Sequence, residues 1–194
     1  MRLAVLVSGT GSILEAISDS GIEISLVVAD RECVAIRRAL DRGLDVALIE
    51  RIDFGEKFDR VVYTNQLVRK LEVAEIELIA MAGFGTILEK PIYDAYAGKV
   101  LNTHPSLLPA FPGWNAVEDA IIAGVKETGC TIHQATLEVD SGPVLAQEIV
   151  PILEGDDTAS LHERIKVIER KLYVSVIKRI MNEPDWFAGI KEKT

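Results

Sequence analysis

The sequence predicts an α/β fold, a doubly wound and mostly parallel sheet. Three observations carry this: short apolar runs alternate with helix-like stretches, the runs are rich in β-branched residues, and a glycine turn follows the first of them. Candidate strands are residues 3–7, 24–29, 46–49, 77–81 and 99–103, and helical stretches fall at 12–18, 34–42, 54–71 and 91–95. The order changes after residue 123. Residues 131–139 and 144–152 read as strands joined by Asp140-Ser141-Gly142-Pro143, a strong turn signal that predicts an antiparallel C-terminal edge strand. A long C-terminal helix is expected over 160–181, with Thr158 or Ser160 as N-cap. Leu161, Ile165, Ile168, Leu172, Val176 and Ile180 recur at helical spacing as its apolar stripe, and the tail past Pro184 reads as peripheral.

Length and composition narrow the classes. A chain of 194 residues fits one domain and buries roughly 70% of its unfolded surface, enough for a core without staples. With 48% hydrophobic and 26% charged residues it is globular, and no apolar run approaches the ~20 residues a bilayer span requires. The first seven residues flow straight into a glycine turn and read as a buried strand, not a signal peptide. A formal charge of −9 repels polyanions. The basic cluster of Lys166, Arg170, Lys171, Lys178 and Arg179 is interleaved with apolar residues and reads as a solvated helix face, so neither nucleic acid nor membrane is an expected partner. Cys33 and Cys130 have no metal spacing, no other cluster calls for a metal, and two cysteines suit a reducing cytoplasm.

Ligands of such sheets sit at the carboxyl ends of the strands. Ser8-Gly9-Thr10-Gly11-Ser12 joins the first strand to the first helix, where free N–H groups favour an anion. Leu14 replaces the third glycine of the dinucleotide fingerprint and no P-loop lysine follows, so both nucleotide motifs fail and a plain tight turn competes with a phosphate site. In Lys99-Val100-Leu101-Asn102-Thr103-His104, period-two alternation sends Asn102 and His104 to one side. An amide there can donate to an oxyanion and an imidazole can move a proton near neutral pH; the bland alternative is a capped strand end. His133 is expected inside a strand, on the face of Ala135, Leu137 and Val139, as a core histidine or a site residue. Asp140 is a turn former unless its turn folds back over His104. His162 reads as structural. Glu169 lies within the apolar stripe of the last helix, and a buried carboxylate is costly unless paired; it reaches either a ligand or a basic group.

Over residues 1–180 the chain resembles the folate-dependent formyltransferases, and among them the glycinamide ribonucleotide formyltransferase family of purine synthesis. The resemblance rests on Ser8 to Ser12, on Asn102-Thr103-His104-Pro105-Ser106-Leu107-Leu108-Pro109 with Phe111-Pro112-Gly113, on Thr128-Gly129-Cys130-Thr131-Ile132-His133, on Asp140-Ser141-Gly142-Pro143, and on Ile168-Glu169 through Leu172-Tyr173. It implies a Rossmann-like formyltransferase fold in a single domain, 1–194. Residues 1–100 would form the ribonucleotide half, 101–182 the catalytic and folate half, and 183–194 a tail. The co-substrate implied is 10-formyltetrahydrofolate, with a phosphorylated amine as acceptor and no metal. Asn102 and protonated His104 would stabilise the oxyanion, Asp140 would orient His104, and His133 would support Asp140. Thr10, Gly11, Ser12 and Ile13 would meet the phosphate and Glu169 the rest of the ribonucleotide. The folate would lie against Gly85, Thr86, Ile87 and Leu88 and against Thr136, Leu137, Glu138 and Val139. The family also tends to hold the bond before Pro109 cis. Three departures stand out: Ile13 replaces an asparagine, Gly85-Thr86 replaces Met-Arg, and residues 53–57 lack an arginine for which Lys57 or Arg60 could substitute. The catalytic residues persist while the binding periphery differs. Hydrolysis of the formyl folate, transfer to another small amine such as an amino sugar, and a binding module without activity stand as alternatives.

Overall fold

The computed structural model describes residues 1–53 and 55–191. In chain order it contains β1 (Leu3–Val7), α1 (Ser12–Asp19), β2 (Ile24–Ala29), α2 (Val34–Asp41), β3 (Val46–Leu48), a 3-10 turn (Gly55–Lys57), α3 (Arg60–Val73), β4 (Leu78–Met81), α4 (Lys90–Ala95), β5 (Val100–His104), α5 (Ala116–Ile122), β6 (Glu127–Gln134), β7 (Val144–Pro151), α6 (Thr158–Asn182) and α7 (Pro184–Lys191). Among the described residues the strands form one seven-stranded sheet, ordered β3-β2-β1-β4-β5-β6-β7. Pairing is parallel from β3 to β5, and β7 runs antiparallel to β6, as the turn signal predicted. The chain divides into two compact units, Met1–Leu101 and Asn102–Thr194.

In the first unit every residue of β1 is fully buried. That is what a central parallel strand covered on both faces requires, and it is why the run Leu3 to Val7 is apolar without alternation. α1 turns Ile13, Leu14 and Ile17 inward. Gly11 caps its start with φ of 78°, and a Cβ there would lie 2.8 Å from that of Ala35, so glycine answers both the left-handed backbone and the close approach of α2. α3 starts at Arg60, capped by the Asp59 carboxylate, which accepts from Val62 N–H at 2.9 Å. The expected helix over 54–71 therefore began too early: the 3-10 turn precedes it, and residue 54 lies outside the described residues.

In the second unit α6 packs its stripe on β6 and β7. Leu161 and Ile165 are buried with Val117, Cys130 and Val150, and Ile168 and Leu172 close the cluster from its rim. The N-cap is Asp157, not Thr158 or Ser160. Its carboxylate accepts from Ser160 N–H at 2.8 Å while the Ser160 hydroxyl accepts from Asp157 N–H at 3.0 Å, a reciprocal capping box. The strand expected over 131–139 stops at Gln134, whose N–H bonds to Pro143 O at 2.9 Å as the chain turns away; Leu137 and Val139, which continue the alternation, are exposed. The tail past Pro184 forms α7, and residues 192–194 lie outside the described residues. Replacing Ile165 with Ala should lower unfolding free energy by about 2–5 kcal/mol, the range for a truncated core aliphatic. Urea denaturation reads this as a lower midpoint at unchanged slope, and a loss below about 1 kcal/mol would show that α6 is not a core element.

Candidate active site

The carboxyl end of β5 carries the polar residues singled out from sequence. Asn102 and His104 point to one side, and Thr103 between them points to the other. Asn102 Nδ2 lies 3.2 Å from His133 Nε2. His104 Nδ1 lies 3.4 Å from Asp140 Oδ2, within ion-pair distance, and His104 Nε2 lies 2.8 Å from the carbonyl of Phe111. The four side chains Asn102, His104, His133 and Asp140 thus form one cluster, and both histidines and Asp140 are almost wholly enclosed.

Ring protonation follows from the partners. His133 Nδ1 faces the Gln134 carbonyl at 3.0 Å, so that nitrogen carries the proton and donates. Its Nε2 then accepts from the Asn102 amide. Burial pushes the His133 pKa below the ordinary value, against the upward pull of the Gln134 carbonyl and of Asp140. The neutral ring turns a lone pair toward Asp140 Oδ1 at 3.7 Å, so that contact is no ion pair. His133 thus holds the Asn102 amide by a hydrogen bond and meets Asp140 only at the longer 3.7 Å distance. Both nitrogens of His104 face oxygen acceptors, and the protonated ring is the form with a donor for each.

Asp140 is placed by its turn. It stands six residues past the end of β6, not at the strand end, with φ of 57°. Its Oδ2 also accepts from Gly113 N–H at 2.9 Å. Phe111, whose carbonyl meets His104, has φ of 52°. Two non-glycine residues in the left-handed region beside one imidazole is local strain of the kind that clusters at functional sites. Gly142 closes the turn: a Cβ there would collide with the Gln134 carbonyl. The Leu108–Pro109 bond is cis, as the resemblance implied. Thr131 holds that loop, donating to Ser106 O at 2.6 Å and accepting from Leu108 N–H at 3.1 Å. Phe111 O, Gly113 N–H and Gln134 O are backbone groups, which no sequence motif announces.

Glu169 is buried on α6, and its carboxylate accepts from the Thr103 hydroxyl at 2.7 Å. Burial pushes its carboxyl up, against the pull of that hydroxyl. Thr136 donates to Glu138 O at 2.9 Å, and Leu137, Glu138 and Val139 are exposed.

In the first unit, the loop after β1 presents the start of α1. Its first intrahelical bond runs from Glu15 N–H to Gly11 O at 2.9 Å, so the N–H groups of Ser12, Ile13 and Leu14 precede the ladder, and no side chain caps them. Ile13 turns its side chain inward at 6% exposure, so only its backbone is available to an anion. Thr10 is exposed. In the loop after β4, Gly85 N–H donates to Ser8 Oγ at 2.6 Å; Thr86 and Leu88 are buried and Ile87 is exposed. The Thr86 hydroxyl donates to Asp30 at 2.7 Å. Asp30 was missed from the sequence, although an aspartate ending the apolar run Ile24 to Ala29 was the available signal. Among the described residues no group of three His, Cys, Asp or Glu side chains could hold a metal ion, and no helix is long and apolar enough to cross a membrane.

Comparison with known proteins adds a separate line. The sequence pattern described as formyl transferase matches residues 1–177. A phosphoribosylglycinamide formyltransferase of Mycobacterium tuberculosis is 41% identical over 181 residues, covering 91% of this chain and 83% of its own. The Bacillus subtilis protein of that name is 36% identical over 187 residues, covering 93% and 94%. The crystal structure of phosphoribosylglycinamide formyltransferase from Streptococcus pneumoniae superposes with a TM-score of 0.85 at 35% identity, covering 93% of this chain and 98% of that one.

The environment of His133 sets a pH dependence. Its folded pKa lies below the unfolded value near 6.5, so the stability it contributes is complete above that value and is lost as pH falls toward the folded one. Nitrogen NMR of the imidazoles should keep His133 as the neutral Nδ1–H tautomer at pH 6.5. A His133 ring that is half protonated at or above pH 6.5 would contradict this arrangement.

Proposed function

The chain belongs to the formyl transferase family, and from that premise we propose that it transfers the formyl group of 10-formyltetrahydrofolate to the amine of glycinamide ribonucleotide, a step of purine biosynthesis. The observation that carries the reading is the joint placement of Asn102, His104 and Asp140 at the end of β5. Binding alone needs no such acid–base set. Transfer to this amine is favoured over hydrolysis or another acceptor because the relatives in both comparisons bear the name of that transferase.

In the reaction the acceptor amine forms a bond to the formyl carbon, and the carbonyl electrons move to oxygen. Asn102 has two amide protons. One is held by His133 Nε2, which leaves the other for the oxyanion in a fixed orientation. His104 serves the same oxygen through its Nε2–H, now engaged by Phe111 O, so that bond is shared or exchanged when the oxyanion forms. Asp140, anchored by Gly113 N–H, holds the ring from the Nδ1 side. Collapse of the intermediate breaks the bond between the formyl carbon and the folate nitrogen, and the proton lost by the amine ends on that nitrogen. Such donors act on charge present mainly in the transition state.

The backbone N–H groups at the start of α1, with Thr10, Gly11, Ser12 and Ile13 in that segment, serve the phosphate. Glu169 serves the ribonucleotide, and the segments 85–88 and 136–139 the folate. We place the protein in the cytoplasm, where its free thiols Cys33 and Cys130 are stable.

Purified protein given 10-formyltetrahydrofolate should turn over only when glycinamide ribonucleotide is added. Turnover without any acceptor would make it a hydrolase and sink this reading. His104→Ala should reduce kcat on the order of 10²–10³-fold, the usual cost of one oxyanion donor, with folate affinity within about twofold. An equal loss in binding would remove His104 from the chemistry.

A further inference from the structure

At the carboxyl end of the first unit, Asp30 follows directly on β2 and is fully buried, with 0% exposure. Its groups reach every neighbouring strand end of that unit. Its N–H bonds to Val7 O at 3.4 Å, after which comes Ser8, and its carbonyl accepts from Arg51 N–H at 2.8 Å beyond β3. Its carboxylate accepts from the Thr86 hydroxyl beyond β4 and from Arg31 Nε at 3.0 Å and Nη2 at 3.3 Å, and the Ser8 side chain also favours its charge. Burial pushes the Asp30 carboxyl up, but Arg31, Thr86 and Ser8 outweigh it and the group stays ionised below the usual carboxylate range.

The consequence falls on Arg31. A guanidinium has five N–H donors; two are spent on Asp30, and three remain. The Arg31 side chain is 40% exposed, while the carboxylate that fixes it is not exposed at all. Arg31 passes over Gly85, where a Cβ would come within 3.1 Å of Arg31 Nη2 and 3.4 Å of Ser8 Oγ. Any side chain at position 85 would cover the guanidinium. The planar fork is therefore held rigid on its inner edge and open on its outer edge, next to the residue that begins the glycine loop. A fixed guanidinium loses little further freedom when it binds an oxyanion, for which its geometry is suited.

We propose that Arg31 is the cation of the first unit that meets an oxyanion of the substrates, with Asp30 as its positioning residue. The inference rests on the formyl-transfer reading. Two substrate groups share the required chemistry, the phosphate of the ribonucleotide and the carboxylates of the folate. The phosphate is the first candidate, because Ser8 leads into the uncapped start of α1.

Calorimetry tests this without turnover. Wild type and Arg31→Met are titrated with glycinamide ribonucleotide, with glycinamide riboside that lacks the phosphate, with tetrahydrofolate, and with the primary amide of tetrahydropteroate, which has no carboxylate. Arg31→Met should weaken the ribonucleotide roughly tenfold to hundredfold, the span of a hydrogen bond to a charged group, and leave the riboside as in wild type. The same loss seen with tetrahydrofolate but not with the tetrahydropteroate amide supports the oxyanion role and assigns it to the folate. No loss, or equal losses for ligands with and without the anionic group, overturns the proposal. Asp30→Asn should lower affinity for the same ligand alone and add nothing to Arg31→Met in the double variant, since a positioning residue acts through its partner. Additive losses, or weakening of all four ligands, would leave Asp30 merely structural. If Asp30→Asn does not fold by circular dichroism, the Arg31 variants decide, with Arg31→Lys expected to recover part of the affinity. Wild-type protein that binds none of the four ligands overturns both this inference and the formyl-transfer reading. Turnover with the ribonucleotide alongside an unaffected Arg31→Met overturns the inference alone.

Discussion

The arrangement of the second unit depends on how the chain closes on itself between Gln134 and Pro143. One backbone bond, Gln134 N–H to Pro143 O at 2.9 Å, ends β6 and brackets the loop. Gly142 fits against the Gln134 carbonyl where a Cβ could not, and that same carbonyl fixes the tautomer of His133. From this closure Asp140 comes back to His104 and Gly113, and His133 comes to Asn102. A carboxylate held in the left-handed region and bonded to a backbone N–H has little freedom to relax, which suits a group that must orient an imidazole. Packing beneath the site supplies the rest, since α6 covers β6 and β7 with Leu161 and Ile165.

Two buried carboxylates in this protein have opposite fates, and their company explains it. Asp30 is bonded to a guanidinium and the Thr86 hydroxyl, and these with Ser8 outweigh the cost of its burial. Glu169 has the Thr103 hydroxyl as its hydrogen-bond donor, and burial prevails. The contrast bears on a chain whose formal charge is −9 yet whose proposed substrates are anions. Long-range attraction is not available, so anion affinity has to come from short-range, oriented donors: N–H groups at a helix start and a fixed guanidinium. Such donors act at contact distance, where salt screens them less than it screens a diffuse field.

Much of this was legible in the sequence, for identifiable reasons. The strands of the first unit are buried on both faces, so their apolar runs are unbroken and hard to misread. Asn102 and His104 follow from strand alternation alone, and Asp140 from its turn chemistry. The reading failed where a local pattern outlasted the structure behind it. Ala135, Leu137 and Val139 continue an alternation, but the closure at Gln134 ends the strand, and Leu137 and Val139 point to solvent. α3 begins at a cap, Asp59, that sits inside a longer helical-looking stretch, and α5 is too short for its period to announce it. The bond from Thr103 to Glu169 could not be read because Thr103 lies on the face of β5 away from the residues that drew attention. Backbone partners such as Phe111 O leave no trace in residue type.

The capping box of α6 has a consequence for how this chain can change over evolutionary time. Asp157 and Ser160 fix where the helix starts, and from that point each residue advances the face by roughly 100°. Glu169 reaches Thr103 only because the spacing from the cap has its present value. An insertion in the surface turn before Asp157 would leave that angle untouched, whereas a single residue gained or lost between Ser160 and Glu169 would swing the carboxylate about a quarter turn away. Length variation among descendants of this sequence should therefore gather ahead of the cap and be purged from the two and a half turns behind it.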